Sequence, residues 1–169
     1  MIETITLGAG CFWCVEAVFM SLPGINTIEV GYCNGNAKEP TYEIVCSGNT
    51  GYAEVAQISF DSSVISFKEI LDHFFQTHDP TTLNKQEADV GTQYRSGIFY
   101  HTNEQRDVAM EVIERWNKNN VYENPIITEV SALQDYYKAE NYHQDYYQNN
   151  KSAPYCTYVI KPKLDKIHQ

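Results

Sequence analysis

The chain has 169 residues, 43% of them hydrophobic and 20% charged, which suffices for one domain with a sizeable core and matches the make-up of ordinary folded proteins. Its formal net charge is −10, and its basic residues gather only in a thin C-terminal group, Lys161, Lys163 and Lys166, so charge argues against nucleic acid or an anionic membrane as partner. No run of about 20 apolar residues could cross a bilayer, and no basic stretch followed by an apolar one opens the chain. A soluble, cytoplasmic protein acting as a monomer is expected. Five cysteines cannot all pair with one another, and in a reducing compartment such thiols are read as reactive rather than as a disulfide framework.

In chain order, residues 2–7 alternate as a strand does, Gly8-Ala9-Gly10 makes a turn, and the apolar spacing of Ala17, Val18 and Leu22 continues a helix that Pro23-Gly24 stops. This order places Cys11 at or just before the first helical turn. Unpaired N–H groups and the positive end of the dipole favour an anion there, and Cys-x-x-Cys spacing to Cys14 acts in the same direction, so the Cys11 thiol is expected to lose its proton easily. The same spacing also fits half a zinc site or two buried apolar thiols. No second Cys-x-x-Cys or close Cys/His pair accompanies it, and no metal is expected. Phe12 and Trp13, side by side, are hard to bury in one core, so at least one should line a cavity.

Residues 25–32 read as a strand, 33–40 as an Asn/Gly loop, 41–46 as a short helix or strand, and 47–51 as a turn. In the strand 53–60, Glu54 shares a face with Ala56, Ile58 and Phe60. A carboxyl there is either at the sheet rim or in a partly dry site, and in the second case its pKa rises and it becomes a proton donor near neutral pH. Ser66 and Glu69 form a capping box before a core helix carrying Phe67, Ile70, Leu71, Phe74 and Phe75. Residues 81–91 are a polar loop that includes Asp89, 92–100 a strand with a polar first half, 103–119 a second helix, and 126–130 a strand after Pro125. Tyr142 and Tyr146 sit four apart on a short helix. From Asn149 the composition is that of a tail, and it contains Cys156. The expectation is a single catalytic domain over 1–169 with 149–169 as C-terminal tail. Its fold class is α+β, two-layer, with a ferredoxin-like central antiparallel or mixed sheet, helices and a long irregular tail.

Several stretches together resemble the A-type peptide methionine sulfoxide reductases, over nearly the whole chain. They are Gly10-Cys11-Phe12-Trp13-Cys14-Val15-Glu16, Pro40-Thr41-Tyr42-Glu43, Thr50-Gly51-Tyr52-Ala53-Glu54, His78-Asp79-Pro80-Thr81, Asp89 with Gly91-Thr92-Gln93-Tyr94-Arg95-Ser96, and Tyr142-His143-Gln144-Asp145-Tyr146. The resemblance implies Cys11 as nucleophile, Glu54 as proton donor, Tyr42 and Tyr94 as the hydroxyls that hold the sulfoxide oxygen, Phe12 and Trp13 as the methyl pocket, and Asp89 as a contact to the substrate backbone. It implies reduction of the S epimer of methionine sulfoxide, free or in oxidised proteins, with thioredoxin as reductant and no metal or organic cofactor. Protein repair under oxidative stress would follow from that activity. Tyr52 stands where the family usually has His, and Asn34 interrupts its usual Gly-Gly. The resolving thiol is Cys14, Cys156, or Cys14 with a relay to Cys156, whereas Cys33 and Cys46 are expected to be inert. The rivals are a thioredoxin-like disulfide oxidoreductase, resting on Cys-x-x-Cys alone, and a non-enzymatic peptide-binding module.

Overall fold

The computed structural model describes residues 1–36 and 39–167. Strand β1 (Ile2–Ala9) leads into helix α1 (Phe12–Met20), followed by β2 (Ile25–Cys33), the short α2 (Tyr42–Cys46), β3 (Ala53–Asp61) and α3 (Phe67–Gln76). A two-residue hairpin, β4 (Lys85–Gln86) with β5 (Asp89–Val90), precedes β6 (Ser96–Tyr100), α4 (Asn103–Lys118), β7 (Glu129–Ala132), β8 (Tyr137–Lys138), α5 (Tyr146–Asn149) and α6 (Lys161–Ile167). The main sheet runs β7-β6-β1-β3-β2-β8. Its central four strands, with α1 and α3 as crossovers, have the β-α-β-β-α-β order of a ferredoxin-like fold, antiparallel throughout. Among the described residues, only the β6–β7 pair is parallel.

The antiparallel pairing of β1 with β3 positions the site. Ile5 lies opposite Ile58 and Leu7 opposite Ala56, so the end of β1 meets the beginning of β3, and Glu54 arrives beside the turn that launches α1. One sheet face, with Ile5, Leu7, Ile58 and Phe60, packs beneath α1 and α3 in the main core. The alternate positions Ala53 and Val55 join Cys33 and Phe99 in a smaller cluster on the other face, as the two-residue period of a strand requires.

Several segments differ from the sequence reading, among them the following three. Thr92–Tyr94 form a 3-10 turn rather than the start of a strand, because Thr92 Oγ1 donates to the Gly48 carbonyl and Gln93 Nε2 to that of Cys46. The strand after Pro125 begins at Glu129, since the Ile126 and Ile127 amides donate to Asn117 Oδ1 and the Pro80 carbonyl instead. The C-terminal segment read as an irregular tail is helical, with a π turn at Cys156–Ile160 running into α6. Cys156 and Ile160, four apart, are fully buried with Leu164 packed alongside, and this apolar stripe docks the segment on α1. Among the described residues, no helix is long and apolar enough to cross a membrane.

Candidate active site

The turn between β1 and α1 is built for close approach. Gly10 has φ +85°, and a Cβ there would sit 2.9 Å from the Gln86 side chain, so only glycine fits without strain. Cys11 follows as the extended residue before α1, its carbonyl accepting the Cys14 amide at 3.1 Å. The next free helix donor, the Phe12 N–H, donates to Glu54 Oε1 at 3.2 Å. Glu54 is 1% exposed, and its Oε2 has no hydrogen-bond partner among the described residues. The carboxyl therefore lies in the dry site, not at the rim. Burial, with Asp89 nearby and only the Phe12 amide opposing, pushes it up to about 8, so it carries its proton at neutral pH.

The expected easy ionisation of Cys11 is overturned. Cys11 is 7% exposed, and burial, the bond to Cys14 and the nearby Glu54 hold its thiol well above the usual range. Desolvation here outweighs the helix N-terminus, which acts through a single turn of dipoles. Cys14 takes the opposite course. Stabilised first by the Cys11 thiol, and further by Lys163 and the Tyr155 hydroxyl, it is lowered to about 7. Ionisation of this pair leaves the charge on Cys14 with the proton on Cys11.

Tyr42, the first residue of α2, and Tyr94, at the end of the 3-10 turn, both lie within electrostatic reach of Glu54 and Cys11, and burial keeps both phenols protonated. Glu140 accepts the Tyr42 amide at 2.9 Å and the Tyr32 hydroxyl at 2.8 Å, which pins the start of α2 to the sheet. Phe12 is fully buried, with Tyr42 stacked 6.3 Å away between ring centres. Trp13 lies parallel to Tyr146 at 3.7 Å. Asp89, on β5, accepts the Tyr155 hydroxyl at 2.9 Å, and the same hydroxyl is 3.5 Å from Cys14 Sγ. Tyr155 thus bridges Asp89 and the Cys14 thiol. Cys156, the next residue, is buried and feels the charge of Cys14. Burial raises the thiols of Cys33 and Cys46, the latter bonded to Tyr42.

The structure therefore gathers every residue the sequence nominated, and adds four it did not. Tyr155, Tyr146, His143 and Glu16 all come from or hold the C-terminal third. The carboxylate of Glu16 accepts the amides of Asp145 and Tyr146 at 3.1 and 3.2 Å, and burial pushes it up to about 7. Tyr146 and His143 stand in a stretch whose aromatic content was evident but whose folding was not. Asp145 adopts a left-handed φ of 54°, which separates the 3-10 turn Asn141–His143 from α5, so Tyr142 and Tyr146 do not share one helix. Tyr142 stays exposed. Tyr155 adjoins Cys156, a signal masked by the tail-like composition.

A thiol pair beneath a protonated carboxyl and two phenols can attack an atom while protonating its neighbour, which defines a class of cysteine-based oxidoreductase sites. The family model described as peptide methionine sulfoxide reductase matches residues 3–169, and the chain belongs to the A-type peptide methionine sulfoxide reductases. A peptide methionine sulfoxide reductase MsrA from Trichodesmium erythraeum is 55% identical over 167 residues, 99% of this chain and 94% of that protein. Among solved structures, Mxr1 from Saccharomyces cerevisiae in reduced form has a TM-score of 0.86 at 38% identity, covering 92% of this chain and 89% of that one. The same yeast protein in complex with Trx2 has a TM-score of 0.60 at 28% identity, covering 86% and 84%. The enzyme is a reductase of peptide methionine sulfoxide.

Proposed function

We propose that the chain reduces the S epimer of methionine sulfoxide, free or within oxidised proteins, with Cys11 as nucleophile and Glu54 as acid. The observation that carries this reading is the buried Glu54 carboxyl, held by the amide next to Cys11 and with Oε2 unpartnered among the described residues, where burial pushes its pKa up to about 8. Sulfoxide oxygen leaves sulfur only once protonated, and Glu54 with the Tyr42 and Tyr94 phenols supplies the donors. The Cys11 proton passes to Cys14, and the Cys11 thiolate attacks the sulfoxide sulfur. The oxygen takes a proton and ends on Cys11 as sulfenic acid, while the substrate leaves as methionine. The Phe12 and Trp13 rings hold the substrate methyl, and Asp89 exchanges Tyr155 for the substrate backbone.

Cys14 then attacks the sulfenic sulfur, releasing water and forming a disulfide. Exchange with Cys156 passes the disulfide to the C-terminal segment, and a thioredoxin dithiol reduces it while becoming a disulfide itself. The complex of Mxr1 with Trx2 supports that partner. The scheme needs no metal or organic cofactor, and the protein acts as a cytoplasmic monomer folded as one domain. A disulfide oxidoreductase of thioredoxin type would leave the protonated Glu54 without a task.

The test is NADPH oxidation coupled through thioredoxin and its reductase, with each epimer of a blocked methionine sulfoxide, for the parent and for Cys14→Ser and Cys156→Ser. Turnover of the S epimer alone, lost in at least one variant, is expected. Turnover of neither epimer by the parent, with thioredoxin shown to be active, sinks the reading.

A further inference from the structure

Among the described residues, His143 is the one buried histidine at this site, 1% exposed. The indole Nε1–H of Trp13 donates to its Nδ1 at 3.0 Å. An indole nitrogen is only ever a donor, so Nδ1 must be the acceptor and the neutral ring must carry its proton on Nε2. That Nε2 is buried with no partner among the described residues, so its own bonding does not fix the tautomer. The ring centre lies 4.3 Å from that of Tyr42, 5.2 Å from Phe12 and 5.6 Å from Trp13. It therefore touches the two rings assigned to the methyl pocket and one of the phenols beside them. Stacking on Tyr146 sets the plane of the Trp13 indole, and Tyr155 packs across it at 78° with ring centres 5.6 Å apart, but neither ring contact is directional within that plane as a hydrogen bond is. The bond to Nδ1 supplies the directional restraint.

We propose that His143 is a positioning residue for sulfoxide reduction: as the Nε2–H tautomer it locks the in-plane setting of Trp13 and so the width of the methyl pocket. The role rests on the reading of Phe12 and Trp13 as that pocket. It predicts that specificity for a methyl over an ethyl group on sulfur depends on a side chain that never meets the substrate.

Asparagine places its carbonyl oxygen where Nδ1 stands, whereas glutamine reaches the position of Nε2 and leaves the indole without an acceptor. The experiment compares His143→Asn with His143→Gln by steady-state kinetics on blocked methionine and ethionine sulfoxides, and by the indole N–H signals in proton–nitrogen NMR spectra. Trp116→Phe assigns the Trp13 signal. The Asn variant should keep that signal and the parent KM within about twofold, while the Gln variant shifts it, raises KM for the methyl substrate by up to about tenfold with a smaller change in kcat, and narrows the methyl-over-ethyl preference. Equal behaviour of the two variants in an active parent background overturns this role alone. A parent that turns over neither epimer overturns the reductase reading and this role with it. Long-range proton–nitrogen spectra of the unmutated protein test the premise without any variant: a neutral Nε2–H ring is expected, and an Nδ1–H ring overturns the proposal.

Discussion

Two opposed shifts dominate the chemistry at the scale of single residues. Burial lifts Glu54 to about 8, and its neighbours bring Cys14 to about 7. The rate of the first methionine release should therefore be bell-shaped in pH. It falls below about 7 as the Cys11–Cys14 pair takes up its second proton, and falls above about 8 as Glu54 ionises, the two values belonging to coupled groups. Single-turnover quench measurements across that range check both limbs. Glu54→Gln should lower this rate by about 10²- to 10⁴-fold, the usual worth of a positioned acid, and should abolish the alkaline limb. An alkaline limb that survives in the variant would assign it to another group. Glu54 was legible as an exception in the sequence because three apolar residues shared its face. Its burial was not, since rim and interior positions on one strand face have the same two-residue period.

At the scale of elements, the launch of α1 depends on backbone geometry. Gly10→Ala combines a left-handed φ with a Cβ 2.9 Å from Gln86, so it should cost about 1–3 kcal/mol in urea unfolding and slow methionine release by displacing Cys11. Ser66→Ala is the matching control. Ser66 accepts the Glu69 amide, and Glu69 returns a bond to the Ser66 amide, so its loss should cost about 1 kcal/mol with activity unchanged. An active, fully stable Gly10→Ala protein would show that the turn tolerates a side chain. Helix α3 could be drawn from its capping box and apolar face. The turn at Thr92–Tyr94 and the late start of β7 could not, because carbonyls distant in sequence claim their hydrogen bonds.

For the whole molecule, the ferredoxin-like fold holds two carboxyls, Glu54 on β3 and Glu16 on α1, that bind protons more tightly folded than unfolded. Glu54 rises to about 8 and Glu16 to about 7 from ordinary values near 4.5, so each contributes stability that is full below the unfolded pKa and is lost as pH climbs through the folded one. His78 and Cys14 shift downward and act with the opposite sign. Comparison with Glu54→Gln isolates one carboxyl: the variant should gain on the parent between about pH 4.5 and 8, then stay ahead by a constant margin. Denaturant midpoints over that range measure the gain, and a pH-independent difference would mean that Glu54 is not desolvated. By itself the sequence determined the turn that bears Cys11, the inward face of Glu54, the two main helices and the family, because each is written in local periodicity or in a contiguous motif. Tertiary structure alone decided that burial would overrule the helix dipole at Cys11, that the C-terminal segment would be helical, and that Tyr155 and His143 would close on Asp89 and Trp13. Those last contacts join residues 66 and 130 positions apart. No local pattern records such pairings, and they form only when packing of the apolar stripe on α1 brings the chain's end over its beginning.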